Sequence, residues 1–176
     1  MASEGTALLM VGRSAKAGVR LLPLLRPEID GEHETSPLKP TRNHHQLTLK
    51  PSAIHFCESI DAARKEIPLV LQGKVFTPES AIGSNATRGQ YPRKPDALFV
   101  GAGFSDEDYA SLRSDIGDAH GLPWARERKT DIEGLDREEN WTSEFGPRIP
   151  KPEVLAKTIR KVVKGTLEGE PEYTSR

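Results

Sequence analysis

The chain has 176 residues, with 25 Lys and Arg against 26 Asp and Glu, five His and one Cys. This length fits one modest domain, and a formal charge of -1 gives no global field to hold phosphate backbones or anionic lipid, so we expect neither nucleic acid nor membrane as a partner. A single Cys excludes an internal disulfide framework and a multi-Cys zinc site, and it favours a reducing, cytoplasmic setting.

Three short apolar runs predict the buried strands of a sheet. The first has only five residues and follows a segment without a basic run, so we expect neither a signal peptide nor a membrane span. The runs are continuous rather than alternating, a pattern typical of parallel strands covered on both faces. Residues 122–125 (LPWA) predict a fourth strand, which Pro123 confines to a sheet edge. The three runs are residues 7–11 (ALLMV), 53–57 (AIHFC) and 96–101 (DALFVG).

Helical patterns follow these strands. In the first helix, Pro23 predicts a kink or an early end. Ser59 and Ser105 are N-cap residues for the second and third helices, and Pro68 restricts the backbone after the second. The last helix has the clearest amphipathic pattern in the chain. The predicted helices cover residues 14–26, 59–66, 105–116 and 152–165.

Long polar segments separate the predicted elements. Residues 72–95 contain six Gly and Pro that interrupt every candidate element, and twelve of residues 126–150 are charged. We expect the latter segment to wrap the surface, with Trp141 and Phe145 as anchors for the chain itself or for a partner. The predicted organisation is an α/β core at residues 1–125 with a polar insertion at 31–52, an irregular charged segment at 126–150, and a helix and tail at 151–176 packed on the same domain.

The order of strands and helices predicts an α/β fold with a small, open, mostly parallel three-layer sheet, Rossmann-like or flavodoxin-like, with long polar loops. Ligands of such sheets bind beyond the carboxyl ends of the strands. Binding residues are therefore expected in three loops, at residues 12–18, 57–61 and 101–106.

The first loop (VGRSAKAGV, residues 11–19) joins strand one to helix one through small residues. It resembles the glycine turn of Rossmann-like NAD(P)-binding domains, although Gly12 and Gly18 are six residues apart and Ser14 stands where that pattern has its middle glycine. The resemblance implies an NAD(P) cofactor near the helix N-terminus, with added positive charge from Arg13 and Lys16. An ordinary βα turn uses Gly and Ser for similar reasons, so both interpretations stay open.

Glu58 occupies the position of the acidic residue that binds ribose hydroxyls in that family. It lies 40 residues after Gly18, and removing the 22 residues 31–52 leaves a spacing of 18. If Arg13 defines the adenosine end instead, NADPH is favoured over NADH. The third loop, from Gly101, precedes three acids that would repel an anion, so we expect it to be mainly structural. The candidate cofactor-binding residues are Gly12, Arg13, Ser14, Lys16, Gly18, Glu58 and Gly101.

No catalytic residue can be assigned from the sequence. It has no Tyr-x-x-x-Lys pair, which provides the proton in short-chain reductases. Cys57 is expected to be buried in a strand and unreactive. Asp118 and His120 flank a helix end, where the His is expected to act as a cap.

We expect no metal site, since the clustered histidines of the polar insertion lack a rigid frame and are expected to be solvated. These residues are His33, His44 and His45. The sequence thus predicts a small NAD(P)-binding protein, reductase-like if it is an enzyme. The alternatives are a non-catalytic flavodoxin-like or degenerate Rossmann module acting through protein contacts, and a protein that binds CoA or another phosphate-bearing ligand.

Overall fold

A computed structural model describes residues 6–25, 52–88, 93–117, 121–144 and 148–169. The strands in these ranges are β1 (Ala7–Val11), β2 (Ser52–Cys57), β3 (Ala97–Val100), β4 (Trp124–Arg126), β5 (Trp141–Thr142) and β6 (Ile149–Pro150). The helices are α1 (Ala15–Leu25), α2 (Ile60–Leu71), α3 (Ser84–Arg88), α4 (Asp106–Ile116) and α5 (Pro152–Leu167).

Four strands form an all-parallel sheet in the order β2-β1-β3-β4. The chain runs from β1 outward to β2, crosses back to β3 and continues to β4, which is an edge strand as Pro123 predicted. The direction of winding reverses between β1 and β3, so that the topological switch point lies between these two strands. The predicted α/β fold with a parallel sheet is confirmed.

Helices cover both faces of the sheet. Leu8 and Met10 of β1 pack in one cluster with residues of α1 and α5, whereas Leu9 and Val11 pack in a second cluster with residues of α2 and α4. All five residues of β1 are buried, because each face of the strand meets a helix layer. This explains why the strands appear in the sequence as continuous apolar runs. The helix α5 packs directly on α1, β3 and β4.

Two helices, α1 and α2, continue past an internal proline. Pro23 lies within α1, which continues to the buried Leu25. The helix α2 continues through Pro68 to Leu71, so its predicted end near Glu66 is wrong. Both helices have further apolar residues beyond the proline, and their burial outweighs the local cost of the missing hydrogen bond.

Two predicted loops contain short regular elements. The connection at residues 72–95 includes α3, and residues 126–150 include an antiparallel pair, β5 with β6, and two 3-10 turns at Lys129–Asp131 and Glu138–Asn140. Strands of two residues are too short to leave a recognisable period in a sequence. The helix α5 passes the predicted end at Gly165, since Leu167 still packs on the core.

Ser52 belongs to β2, so the predicted insertion ends before it. The rest of that insertion, with its three His, and Asp118, His120 and Phe145 lie outside the described residues. No helix in the ranges given above is both long enough and apolar enough to cross a membrane.

Candidate functional site

A cavity of about 430 Å³ lies at the carboxyl ends of β1, β3 and β4 and is called here the strand-end cavity. The loops that follow β1 and β3 border it through Gly12 and Gly101, and Ile159 of α5 lines it from the helix layer. The cavity is therefore at the switch point between β1 and β3, where parallel sheets of this type bind ligands. Its volume is in the range of small-molecule sites.

Gly12 and Gly18 both pack against the ring of Phe56. A Cβ on Gly12 would lie 3.0 Å from Cζ of this ring, and a Cβ on Gly18 would lie 3.2 Å from it. The two glycines therefore leave space for a buried aromatic side chain of β2. The packing of Phe56 therefore explains the two glycines, six residues apart, whose spacing resembles a dinucleotide-binding loop. Glycine at these positions would also allow the close approach of a ligand.

Arg13 and Ser14 border the cavity at the N-terminus of α1. The Ser14 Oγ accepts a hydrogen bond from the Ala17 N–H at 3.2 Å, so Ser14 caps the first turn of α1. The Arg13 guanidinium lies over the ring of Phe104 and 3.4 Å from Oδ2 of Asp108. An acidic residue in the first turn of α4 thus pairs with the cation of the first loop.

Glu127 is the buried acid of the strand-end cavity. It follows β4 directly, and its own N–H donates to the Val100 carbonyl at 2.9 Å, which fixes it at the end of the β3–β4 ladder. Its Oε2 accepts the Ala102 N–H at 3.1 Å. Its Oε1 is buried and has no hydrogen-bond partner among the described residues.

The environment of Glu127 favours the protonated carboxyl. Burial, and to a smaller extent the charge of Asp131, raise the pKa of Glu127 to about 7, although the hydrogen bond from the Ala102 N–H acts in the opposite direction. Lys129, Arg148 and Arg13 line the same cavity and are its cationic groups within the described ranges. A carboxyl with this pKa can either donate or accept a proton near neutral pH.

The antiparallel pair β5–β6 borders the strand-end cavity through Trp141, Ile149 and Pro150. Trp141 donates from Nε1 to the Leu135 carbonyl at 2.8 Å, and Arg148 lies over its indole ring. Trp141 therefore packs within its own chain, which is one of the two roles that the sequence predicted for it. Arg148 also forms an ion pair with Glu138, which ties the pair β5–β6 to the preceding 3-10 turn.

The structure brings five of the seven predicted binding residues to the cavity: Gly12, Arg13, Ser14, Gly18 and Gly101 line it. Lys16 and Glu58 are exposed and lie outside the lining. The ribose contact expected from Glu58 therefore has no counterpart in the cavity lining. Cys57 is fully buried as predicted, and this burial raises the pKa of its thiol far above the usual range.

Sequence reasoning missed Glu127 because it lies in a segment with many charges, which we assigned to the surface. The available signal was its position one residue after a short strand, since carboxyl ends of parallel strands carry the ligand-binding groups. No protein-family model, no curated protein and no solved structure matches this chain. The functional argument therefore rests on the geometry of the cavity.

Proposed function

We propose that the chain binds a nucleotide of NAD(P) type in the strand-end cavity and that Glu127 exchanges a proton with the bound ligand. The observation that carries the proposal is the Glu127 carboxyl, 4% exposed, with Oε1 unpartnered among the described residues. A buried carboxyl without a full set of partners costs stability, and such groups concentrate at functional sites.

Three features of the cavity support a nucleotide. Ser14 already caps the Ala17 N–H, and the remaining first-turn N–H groups of α1, together with the positive end of the helix dipole, favour a phosphate. Arg13, Lys129 and Arg148 contribute positive charge to the lining. The apolar walls, which include Phe99 and Leu155, suit a flat ring. In this arrangement the loop after β1 holds the phosphates and the loop after β3 borders the ring.

Glu127 supplies the proton donor that the sequence analysis could not find. A bound nicotinamide provides hydride-transfer chemistry, which then requires a proton donor or acceptor nearby. The Ala102 N–H occupies Oε2, which leaves the unpartnered Oε1 as the oxygen that would carry the proton. We therefore assign the chain to a reductase-like class. A reducing, cytoplasmic location belongs to the same proposal.

A second candidate is an apolar ligand without phosphates. It is favoured by Asp108, which already pairs with Arg13, and by the packing of Gly12 and Gly18 on Phe56, which accounts for the glycines without a phosphate. A CoA thioester would use the same loop as a nucleotide. Action through protein contacts is the remaining alternative.

Thermal shift on the full chain with NADPH, NADH and CoA at millimolar concentration tests the proposal. We expect a nicotinamide nucleotide to raise Tm, because a ligand that binds only the native state stabilises it. Arg13→Ala should lower the affinity for NADPH by about tenfold or more, the size of a lost charge-assisted hydrogen bond, and the affinity for NADH by less. Lys16→Ala is the matched control and should leave both affinities unchanged. A response to CoA alone, or to none of the three, rejects the NAD(P) assignment.

The role of Glu127 needs a separate measurement. If bound NADPH exchanges a proton with Glu127, the affinity for NADPH depends on pH between about 6 and 8. The variant Glu127→Gln should lose this pH dependence and keep the fold. An unchanged pH profile in Glu127→Gln would show that another group exchanges the proton.

A further inference from the structure

A second buried polar cluster lies on the opposite face of the sheet from the strand-end cavity. His55 and Cys57 occupy alternate positions of β2, and Glu66 reaches them from the inner face of α2. They are 1%, 0% and 4% exposed. Phe56, between the first two in sequence, points to the other face and lines the strand-end cavity. The alternation of β2 thus separates the two sites.

The three side chains converge on one carboxylate oxygen. The His55 Nε2 lies 2.7 Å from Oε2 of Glu66, and the Cys57 Sγ lies 3.7 Å from the same oxygen. The other oxygen, Oε1, accepts the Glu79 N–H at 2.6 Å, which fixes the carboxylate in place. The Nδ1 of His55 is buried without a partner among the described residues. A nitrogen, a sulfur and an oxygen, one from each side chain, lie within 4.8 Å of one another.

We propose that His55, Cys57 and Glu66 bind a zinc ion that joins β2 to α2. Imidazole, thiolate and carboxylate are all zinc ligands, and three of them leave a fourth position for water. Zinc binding releases the thiol proton of Cys57 to solvent. The resulting thiolate and the Glu66 carboxylate balance the two positive charges of the ion, so the loaded site is neutral and suited to a buried position. A tetrahedral zinc holds nitrogen and oxygen ligands roughly 3.3 Å apart, so the His55 and Glu66 side chains must separate by about half an ångström.

The single Cys excludes only multi-Cys zinc centres, but the proposed site departs from the broader sequence-based expectation that the chain has no metal site. The expectation that the chain has no metal rested on the histidines of the insertion, whereas His55 belongs to a buried strand. The three ligands are almost fully buried between a strand and a helix, so we expect the bound ion to stabilise the packing of β2 on α2, although its water position distinguishes it from a structural zinc site with four protein ligands. This inference is independent of the proposed function in the strand-end cavity.

Cobalt substitution tests the site with a readout besides activity. The full chain, without an affinity tag and stripped with a chelator, is titrated with Co²⁺ while near-ultraviolet absorbance is recorded. Cys57 is the single Cys of the 176 residues, so a thiolate-to-cobalt charge-transfer band can come only from it. We expect this band to saturate at one equivalent and to disappear when Zn²⁺ displaces the cobalt. We also expect Zn²⁺ to raise Tm of the stripped protein.

Variants separate this site from metal binding elsewhere. Cys57→Ser should abolish the band, and Glu66→Gln should weaken Co²⁺ binding by at least about tenfold. The exposed Glu107→Gln is the matched control and should bind as the wild type does. If the folded wild type gives no charge-transfer band, or if Cys57→Ser binds Co²⁺ as tightly as the wild type, the cluster is a hydrogen-bonded network only and the proposal is rejected. The wild-type titration decides the question even if a variant does not fold.

Discussion

Glu127 connects the stability of this protein to its proposed chemistry. The native state raises the pKa of this carboxyl from 4.5 to about 7, chiefly by burial, so the native state binds more protons than the unfolded state between these values. Stability therefore falls as pH rises through this window, and the ionised carboxyl remains unfavourable above it. The pKa difference corresponds to at most about 3 kcal/mol.

The first prediction follows from this linkage. Glu127→Gln keeps an acceptor for the Ala102 N–H and removes the charge. We expect its free energy of unfolding to exceed that of the wild type by up to about 3 kcal/mol at pH 8 and to approach the wild-type value near pH 4. Urea unfolding at several pH values measures this difference. The exposed Glu139→Gln is the control, and a difference in Glu127→Gln that does not vary with pH would contradict the assigned pKa.

The contact between Gly12 and Phe56 gives a second prediction. Gly12→Ala places a Cβ 3.0 Å from the Phe56 ring, which must shift, and we expect a loss of about 1–3 kcal/mol in stability. Gly12→Ala with Phe56→Leu should recover part of this loss in a double-mutant cycle. If Gly12→Ala unfolds like the wild type in urea, the packing explanation for this glycine is wrong. A loss of ligand binding in Gly12 variants must therefore be compared with their stability.

At the scale of elements, α4 depends on a capping box. The Ser105 Oγ accepts the Asp108 N–H, and the Asp108 carboxylate accepts the Ser105 N–H, both at 3.1 Å. The hydrogen bond from the Ser105 N–H and the charge of Arg13 lower the pKa of Asp108. The cap of α4 is thereby linked to the loop after β1.

The third prediction concerns this cap. Ser105→Ala removes the side-chain acceptor and should reduce stability by about 1 kcal/mol, as measured by chemical unfolding. Ser114→Ala, an exposed change in the same helix, should leave stability unchanged or slightly higher. Equal effects of the two substitutions would mean that the cap contributes little.

The elements themselves were largely predictable from the sequence, because local patterns determine them. The apolar run of β1 and the acidic residues after Ser105 predicted the bounds of β1 and α4 to within one or two residues. The end of α2 was mispredicted, since Pro68 is a local signal that the burial of later residues overrides. The role of Phe56 beneath two glycines and the burial of Glu127 depend on contacts between distant segments, which no local pattern contains.

At the scale of the whole molecule, the sheet separates two sites. The strand-end cavity lies on the α1 and α5 side, and the cluster of His55, Cys57 and Glu66 lies on the side of α2. The fourth prediction is that Cys57→Ser leaves the NADPH affinity within about twofold of the wild type, because sites without shared contacts are nearly additive. Titration calorimetry on the two proteins measures this, and a larger change would show that the faces are coupled.

The central claim is that a ligand of NAD(P) type meets Glu127 in the strand-end cavity. Carbon-13 NMR of Glu-labelled protein tests it most directly, with the Glu127 carboxyl signal assigned by its loss in Glu127→Gln. We predict that this carboxyl titrates near pH 7 in the free protein and that saturating NADPH displaces its midpoint. A carboxyl that titrates near its ordinary value of 4.5, or a midpoint that NADPH leaves unmoved, would contradict the account.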